Sequence, residues 1–134
     1  MAIPHHASLK PPQCNDCTIS FPAEHVLLVT ISRPKKMNTY TNIMCWHLDR
    51  LWRWYDEEPS LRVAVITGEG KKAFCAGSDL LEIDGTRKNI DQPWVNPMPD
   101  TGSAGLSRRA GKKPVLAAVN GLALGGGFEI VLNW

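Results

Sequence analysis

The spacing of apolar positions changes several times along the chain, and each change marks an element. Thr18 to Phe21 and Val26 to Ser32 are β-rich runs joined across Pro22-Ala23-Glu24-His25, a pattern that predicts a hairpin. Arg33-Pro34 ends the second run, because proline removes a ladder donor. After Met37-Asn38 the period becomes helical. Met44, Leu48, Leu51 and Tyr55 recur at helical spacing and Trp52 widens the stripe, so a core-facing helix is expected from about Thr41 to Glu57. Thr39 is the expected N-cap, and Pro59 bounds the other end. Leu61 to Thr67 reads as a strand, Gly68-Glu69-Gly70 as a turn, and Ala73 to Ala76 as a short extended piece. Gly77-Ser78 then leads into a helical turn over Asp79 to Ile83, with Ser78 or Asp79 near its N-cap.

From Asp84 to Gly105 the pattern dissolves among Pro93, Pro97, Pro99, Gly102 and Gly105. A segment of this kind is either a lid or specificity loop, with Trp94 as its anchor, or a mobile insertion. A short amphipathic piece is expected around Leu106 to Ala110. Val115 to Val119 is an apolar run suited to a buried strand; it turns at Asn120-Gly121 and passes through Gly125-Gly126-Gly127 into a helical start. Strands alternating with helices predict an α/β fold with partly parallel pairing. Residues 1–17, with Pro4, Pro11 and Pro12, read as a flexible leader, and residues 18–134 as one domain.

Composition removes several function classes. The 134 residues suit one domain with a modest core, and a net charge of +2 does not imply nucleic acid. The basic pairs Lys35-Lys36, Lys71-Lys72, Arg108-Arg109 and Lys112-Lys113 fit solvated surface, or contact with a phosphorylated ligand. Cys14 and Cys17 form a C-x-x-C with no second pair, which argues against a zinc site; no metal is expected, and His5-His6 reads as surface. Cys75 reads as a small buried side chain. Reduced thiols fit an intracellular compartment, cytoplasmic or peroxisomal. No apolar run has the length of a membrane span, and Met1 to Cys17 lacks a signal-peptide core.

Two loop-to-helix junctions carry the candidate chemistry. Each follows a β-rich run, and each offers backbone N–H groups that a strand or helix leaves unpaired. The amides of Ser78 and Gly126 are suited to hold one carbonyl oxygen as negative charge develops on it, and Glu129 to move a proton nearby. A phosphate cradle is the alternative use of the glycines. It lacks the Lys-Ser/Thr that a phosphate-binding loop needs, since Phe128-Glu129 stands there, and neither a dinucleotide fingerprint nor a nucleophile elbow is present.

These stretches carry a family likeness. Ala73-Phe74-Cys75-Ala76-Gly77-Ser78-Asp79-Leu80 resembles the A-F-C-A-G-x-D-L segment of the enoyl-CoA hydratase/isomerase (crotonase) superfamily, and Lys113 to Glu129 resembles its K-P-V-I-A-A-V-N-G-x-A-L-G-G-G-x-E segment. Val29 to Asn38 and the strand from Val63 to Thr67 fall in the family's order, and the wording resembles a fungal secondary-metabolite branch. The resemblance implies a crotonase-like ββα spiral and hydratase-type chemistry on acyl-CoA thioesters, with isomerase or other enolate chemistry as the alternative. It implies that Ser78 and Gly126 supply the oxyanion-hole amides. Ala76, Gly77, Ser78, Asp79 and Leu80 would line the coenzyme A site, and Glu129 would be the first of two catalytic glutamates. Coenzyme A enters as part of the substrate, no separate cofactor is implied, and a trimer or hexamer is. The family's second glutamate and C-terminal helices fall beyond Trp134, so an incomplete fold is expected, and a truncated, inactive fragment is the third reading. Ser78 stands where alanine or glycine is more common, and residues 104–112 are shorter and more glycine-rich than the family's usual helix.

Overall fold

A computed structural model describes residues 9–83 and 98–132. Its main sheet has four strands in the order β1-β2-β3-β5, formed by β1 (Cys17–Ser20), β2 (Val26–Ile31), β3 (Val63–Gly68) and β5 (Val115–Ala118). The predicted hairpin is present: β1 and β2 pair antiparallel, with Thr18 opposite Thr30. The β2–β3 and β3–β5 pairs are parallel, and their registers set Leu27 beside Ala64, Val29 beside Ile66, and Ala64 beside Val115. All five of those side chains are buried. Alternation along each strand therefore delivers one apolar face, as a strand repeat of two requires.

The helix that joins β2 to β3 covers that face. It is α1 (Asn42–Glu57), and its predicted stripe of Met44, Leu48, Leu51, Trp52 and Tyr55 is wholly buried. Its cap is Thr41 rather than Thr39: the Thr41 hydroxyl accepts from the Met44 N–H, whereas the Thr39 carbonyl accepts from the Arg33 guanidinium at 2.7 Å. At the other end Lys113 caps the helix from outside. Its ammonium donates to the Tyr55 carbonyl at 2.8 Å and to the Glu58 carbonyl, adding to the backbone N–H that each accepts, from Glu58 and Leu61 respectively, as the helix ends. Desolvation lowers the Lys113 pKa, and burial pushes the Tyr55 phenol up to about 12. The Tyr55 hydroxyl donates to the Pro114 carbonyl at 2.6 Å, and Arg109 pairs with Asp56 at 2.5 Å. This cluster of contacts sets where β5 begins.

A separate two-stranded sheet matters more for function. It consists of β4 (Ala73–Cys75) and β6 (Leu122–Ala123), parallel, with Ala73 opposite Leu122 and Cys75 opposite Ala123. After β4 the chain turns helical again at Leu80, and α2 (Gly126–Leu132) follows β6. The short amphipathic piece expected at Leu106 to Ala110 is a run of turns. A 3-10 turn over Ser103–Gly105 precedes it, with Ala104 at φ +54°, and the chain continues through hydrogen-bonded turns to Arg109. Gly105 lies so close to α1 that a Cβ there would come within 2.8 Å of the Asp49 Cα, which leaves no room for a longer helix to pass.

Of the expected leader, residues 1–8 lie outside the described residues. Leu9 packs on the core and Cys14 is buried in it, while the Asn15 amide donates to His47. The segment from Asp84 to Gly105 is described only from Met98 onward, and Trp94 falls outside. No described helix is long and apolar enough to cross a membrane.

Candidate active site

Parallel pairing of β4 and β6 brings the two junctions together, because both strands point the same way and both chains leave them at the same end. The Leu124 N–H extends the pairing by donating to the Cys75 carbonyl at 3.1 Å. A side chain starting from Gly77 would begin 3.0 Å from the Leu124 carbonyl and 3.3 Å from the Gly126 nitrogen. The Ala76-Gly77-Ser78 backbone and the Leu124-Gly125-Gly126 backbone are thus in direct apposition, as the oxyanion reading requires.

Most of the amides in these two stretches are already used. The Ala76 N–H donates to the Met37 carbonyl and the Asp79 N–H to the Tyr40 carbonyl. Tyr40 and Ser78 form an isolated parallel bridge, in which Tyr40 donates to the Gly77 carbonyl and accepts from Asp79. That geometry turns the Ser78 N–H away from Tyr40. Among the described residues the Ser78 and Gly126 amides have no acceptor, whereas Gly127, Phe128 and Glu129 all donate backward to Leu124 or Gly125.

The glycine run does more than admit a ligand. At Gly126 a Cβ would fall 1.8 Å from the Tyr40 hydroxyl oxygen and 2.7 Å from the Ser103 Oγ. At Gly127 it would fall 1.9 Å from the Cys75 carbonyl oxygen. Two of the three glycines are therefore required by the protein's own packing of α2 onto β4 and Tyr40.

Of the two N-cap candidates expected for the helical turn after β4, Ser78 and Asp79, the structure selects Asp79. Its carboxylate pairs with Arg33 at 2.8 Å and accepts from the Leu81 and Glu82 amides, so it caps the helical turn that starts at Leu80. The Arg33 hydrogen bond holds the Asp79 carboxyl below its ordinary value, against the opposing effect of burial. Leu80, by contrast, is 75% exposed beside the junction and offers an apolar surface.

Glu129 lies about one turn into α2 and is exposed, and its Oε2 accepts from the Ser103 hydroxyl at 3.3 Å. Ser103 in turn meets the Tyr40 hydroxyl at 2.8 Å. Tyr40 and Ser103 were missed at the sequence level. Tyr40 follows the strand-to-helix turn and Ser103 sits in a stretch without period, so no local pattern pointed to either. Burial pushes the thiols of Cys75 and Cys45 up, to about 11 and about 12, so neither is a nucleophile near neutral pH. No group of three His, Cys, Asp or Glu residues able to hold a metal occurs among the described residues.

Residues 22–133 match the model of the enoyl-CoA hydratase/isomerase family. This chain belongs to that family. Its relatives include the mevalonyl-coenzyme A hydratases of Beauveria bassiana, 50% identical over 92% of this chain, and of Aspergillus fumigatus, 48% identical over 91%. A crystal structure of enoyl-CoA hydratase from Bacillus anthracis superposes with a TM-score of 0.72 at 30% identity, covering 89% of this chain and 45% of that one. The fold is therefore the crotonase fold in part. The chain spans 45% and 44% of the length of the two fungal relatives. The fungal likeness noted in the sequence agrees with those two relatives.

Proposed function

We propose that this chain carries the oxyanion-binding half, and the first acid, of a hydratase-type site for acyl-CoA thioesters. The observation that carries the reading is the apposition of two backbone junctions whose amides at Ser78 and Gly126 have no internal acceptor, with Glu129 about one helical turn from the second. In the forward reaction water adds across the α,β double bond, its oxygen to Cβ and a proton to Cα. Electron density moves onto the thioester oxygen as the C–O bond forms, and the two amides stabilise that enolate. One donor of this kind is worth about 3–4 kcal/mol of barrier. Glu129 takes the proton from the attacking water. Gly77 and the exposed Leu80 flank the path along which the coenzyme A portion lies, and the unspent Ser78 amide ends it.

The mevalonyl-coenzyme A hydratase activity of the fungal relatives makes mevalonyl-CoA the hydroxyacyl thioester of choice for this chain, with water leaving in the reverse direction. The same reading places the protein inside the cell, cytoplasmic or peroxisomal, and in a trimer or hexamer; the four cysteines are free thiols, in keeping with a reducing compartment. The test is hydration of 2-enoyl-CoA and dehydration of mevalonyl-CoA by wild type and Glu129→Gln, with folding checked by circular dichroism. Turnover in wild type and loss of at least about a hundredfold in Glu129→Gln supports the reading. Equal rates remove Glu129 from the mechanism, and a folded wild type without turnover refutes the assignment for this chain.

A further inference from the structure

The side chains around Gly126 include a chain of hydroxyls that the hydratase reading does not use. Tyr40 and Ser103 are almost fully buried, at 3% and 2% exposure, yet the Ser103 hydroxyl lies against the carboxylate of Glu129, which is exposed, and the Tyr40 hydroxyl lies against Ser103. A buried hydroxyl costs stability unless it is hydrogen-bonded, so a pair kept at this place has its partners arranged deliberately. Each hydroxyl owns one proton. Ser103 donates its proton to the Glu129 Oε2, so it must accept from Tyr40, whose phenol is the only one of the two left with a proton to give. Burial raises the Tyr40 pKa, against the opposing pull of the Ser103 and Ser78 hydroxyls, which keeps the phenol protonated and able to donate. The direction is therefore fixed: Tyr40 to Ser103 to Glu129.

Ser103 is itself held from three sides. Its N–H donates to the Ser107 Oγ at 2.8 Å, the next carbonyl, that of Ala104, accepts from the Trp52 indole at 2.9 Å, and Thr101 donates to Asp49 at 2.8 Å. The long buried helix α1 thereby sets the place of the serine, and Tyr40 sets its rotamer. The phenol oxygen lies where a Gly126 side chain would be, so one group touches both the backbone of the proposed oxyanion site and the support of the proposed base.

We propose that Ser103, oriented by Tyr40, is a positioning residue for Glu129: its hydroxyl fixes the rotation of the carboxylate and so the direction from which the base meets water and the α-carbon. This rests on the reading of Glu129 as the acid/base group. The hydrogen bond itself is tested without turnover, by urea unfolding of wild type, Ser103→Ala, Glu129→Ala and the double variant. Ser103→Ala shifts the midpoint down in wild type and by clearly less once Glu129 is absent; equal shifts in both backgrounds overturn the proposal. In the hydration assay Ser103→Ala lowers kcat about tenfold or more with KM within about twofold, Ser103→Thr restores most of it, and Ser103→Ala costs nothing further in Glu129→Gln. A further loss in that background means that Ser103 acts on the fold and not through Glu129, and also overturns it. Absent turnover in a wild type that shows the urea coupling strikes the hydratase reading alone.

Discussion

Asn38 and Asn120 converge on one acceptor: the Ala73 carbonyl receives both side-chain amides, at 2.8 and 3.2 Å. Their other bonds diverge. Asn38 also donates to the Glu69 carbonyl and accepts from the Arg33 N–H, while Asn120 donates to the Gly70 carbonyl and accepts from the Gly68 N–H. Together they stitch the start of β4 to the loop after β3 and to the approach to β6, and so hold both junctions in place. Either asparagine to alanine strands buried backbone groups and is expected to cost about 1–3 kcal/mol in chemical denaturation. Because they share an acceptor, each single variant leaves the Ala73 carbonyl one donor, and the double variant, which leaves it neither, should lose more than the sum of the singles. Strict additivity would show that the two act independently.

The Arg33–Asp79 pair makes the Gly77-Ser78 junction sensitive to acid. Asp79 has a folded-state pKa below its ordinary value, so its contribution to stability is present above that ordinary value and is lost as pH falls through the lowered one. The melting temperature of Asp79→Asn should therefore lie below that of wild type by a steady margin between about pH 5 and 7, and the margin should close below about pH 4. A margin unchanged at the acid end would mean that Asp79 acts through packing rather than charge.

Gly126→Ala is a test of the crowding around the base. The new methyl meets the Tyr40 oxygen at 1.8 Å, so Tyr40 must move and Ser103 loses its donor. A loss of about 1–3 kcal/mol is expected from overpacking. Adding Tyr40→Phe, which removes the obstructing oxygen, should recover part of it, read by thermal melts of both variants.

The helix stripe, the hairpin and the two junctions were legible in the sequence because each is a local pattern. Apolar spacing places α1 and its buried face, and glycine after a β-rich run places Ser78 and Gly126. What was not legible depends on distant residues meeting. Ser103 is useful only because α1 fixes its loop, through Trp52 and Ala104, against a helix that starts more than a score of residues later. Thr39 lost its role as cap to Thr41 because Arg33 claims the Thr39 carbonyl. The short amphipathic piece expected at Leu106 to Ala110 takes the form of turns because Gly105 must press against Asp49. Cys14 packs into the core from a proline-rich stretch whose composition predicts none of that burial.

Leu116, Leu122, Leu124, Phe128 and Leu132 are each at least half exposed, and β5 forms one edge of the main sheet. Apolar side chains beside an open strand edge favour association. The 134-residue chain should bind a hydrophobic dye and sediment as larger species with rising concentration, and Leu116→Lys with Leu122→Glu should reduce both. Concentration-independent monomers that ignore the dye would show the face to be covered.

The pairing of the Ser78 and Gly126 amides around one oxygen is most directly read by amide NMR during titration with a non-reacting saturated acyl-CoA. Both N–H resonances should move downfield together, saturating at the same ligand concentration, while Ala76 and Asp79, whose amides are already bonded within the protein, move little. Movement of neither amide, or of only one, would contradict the oxyanion site.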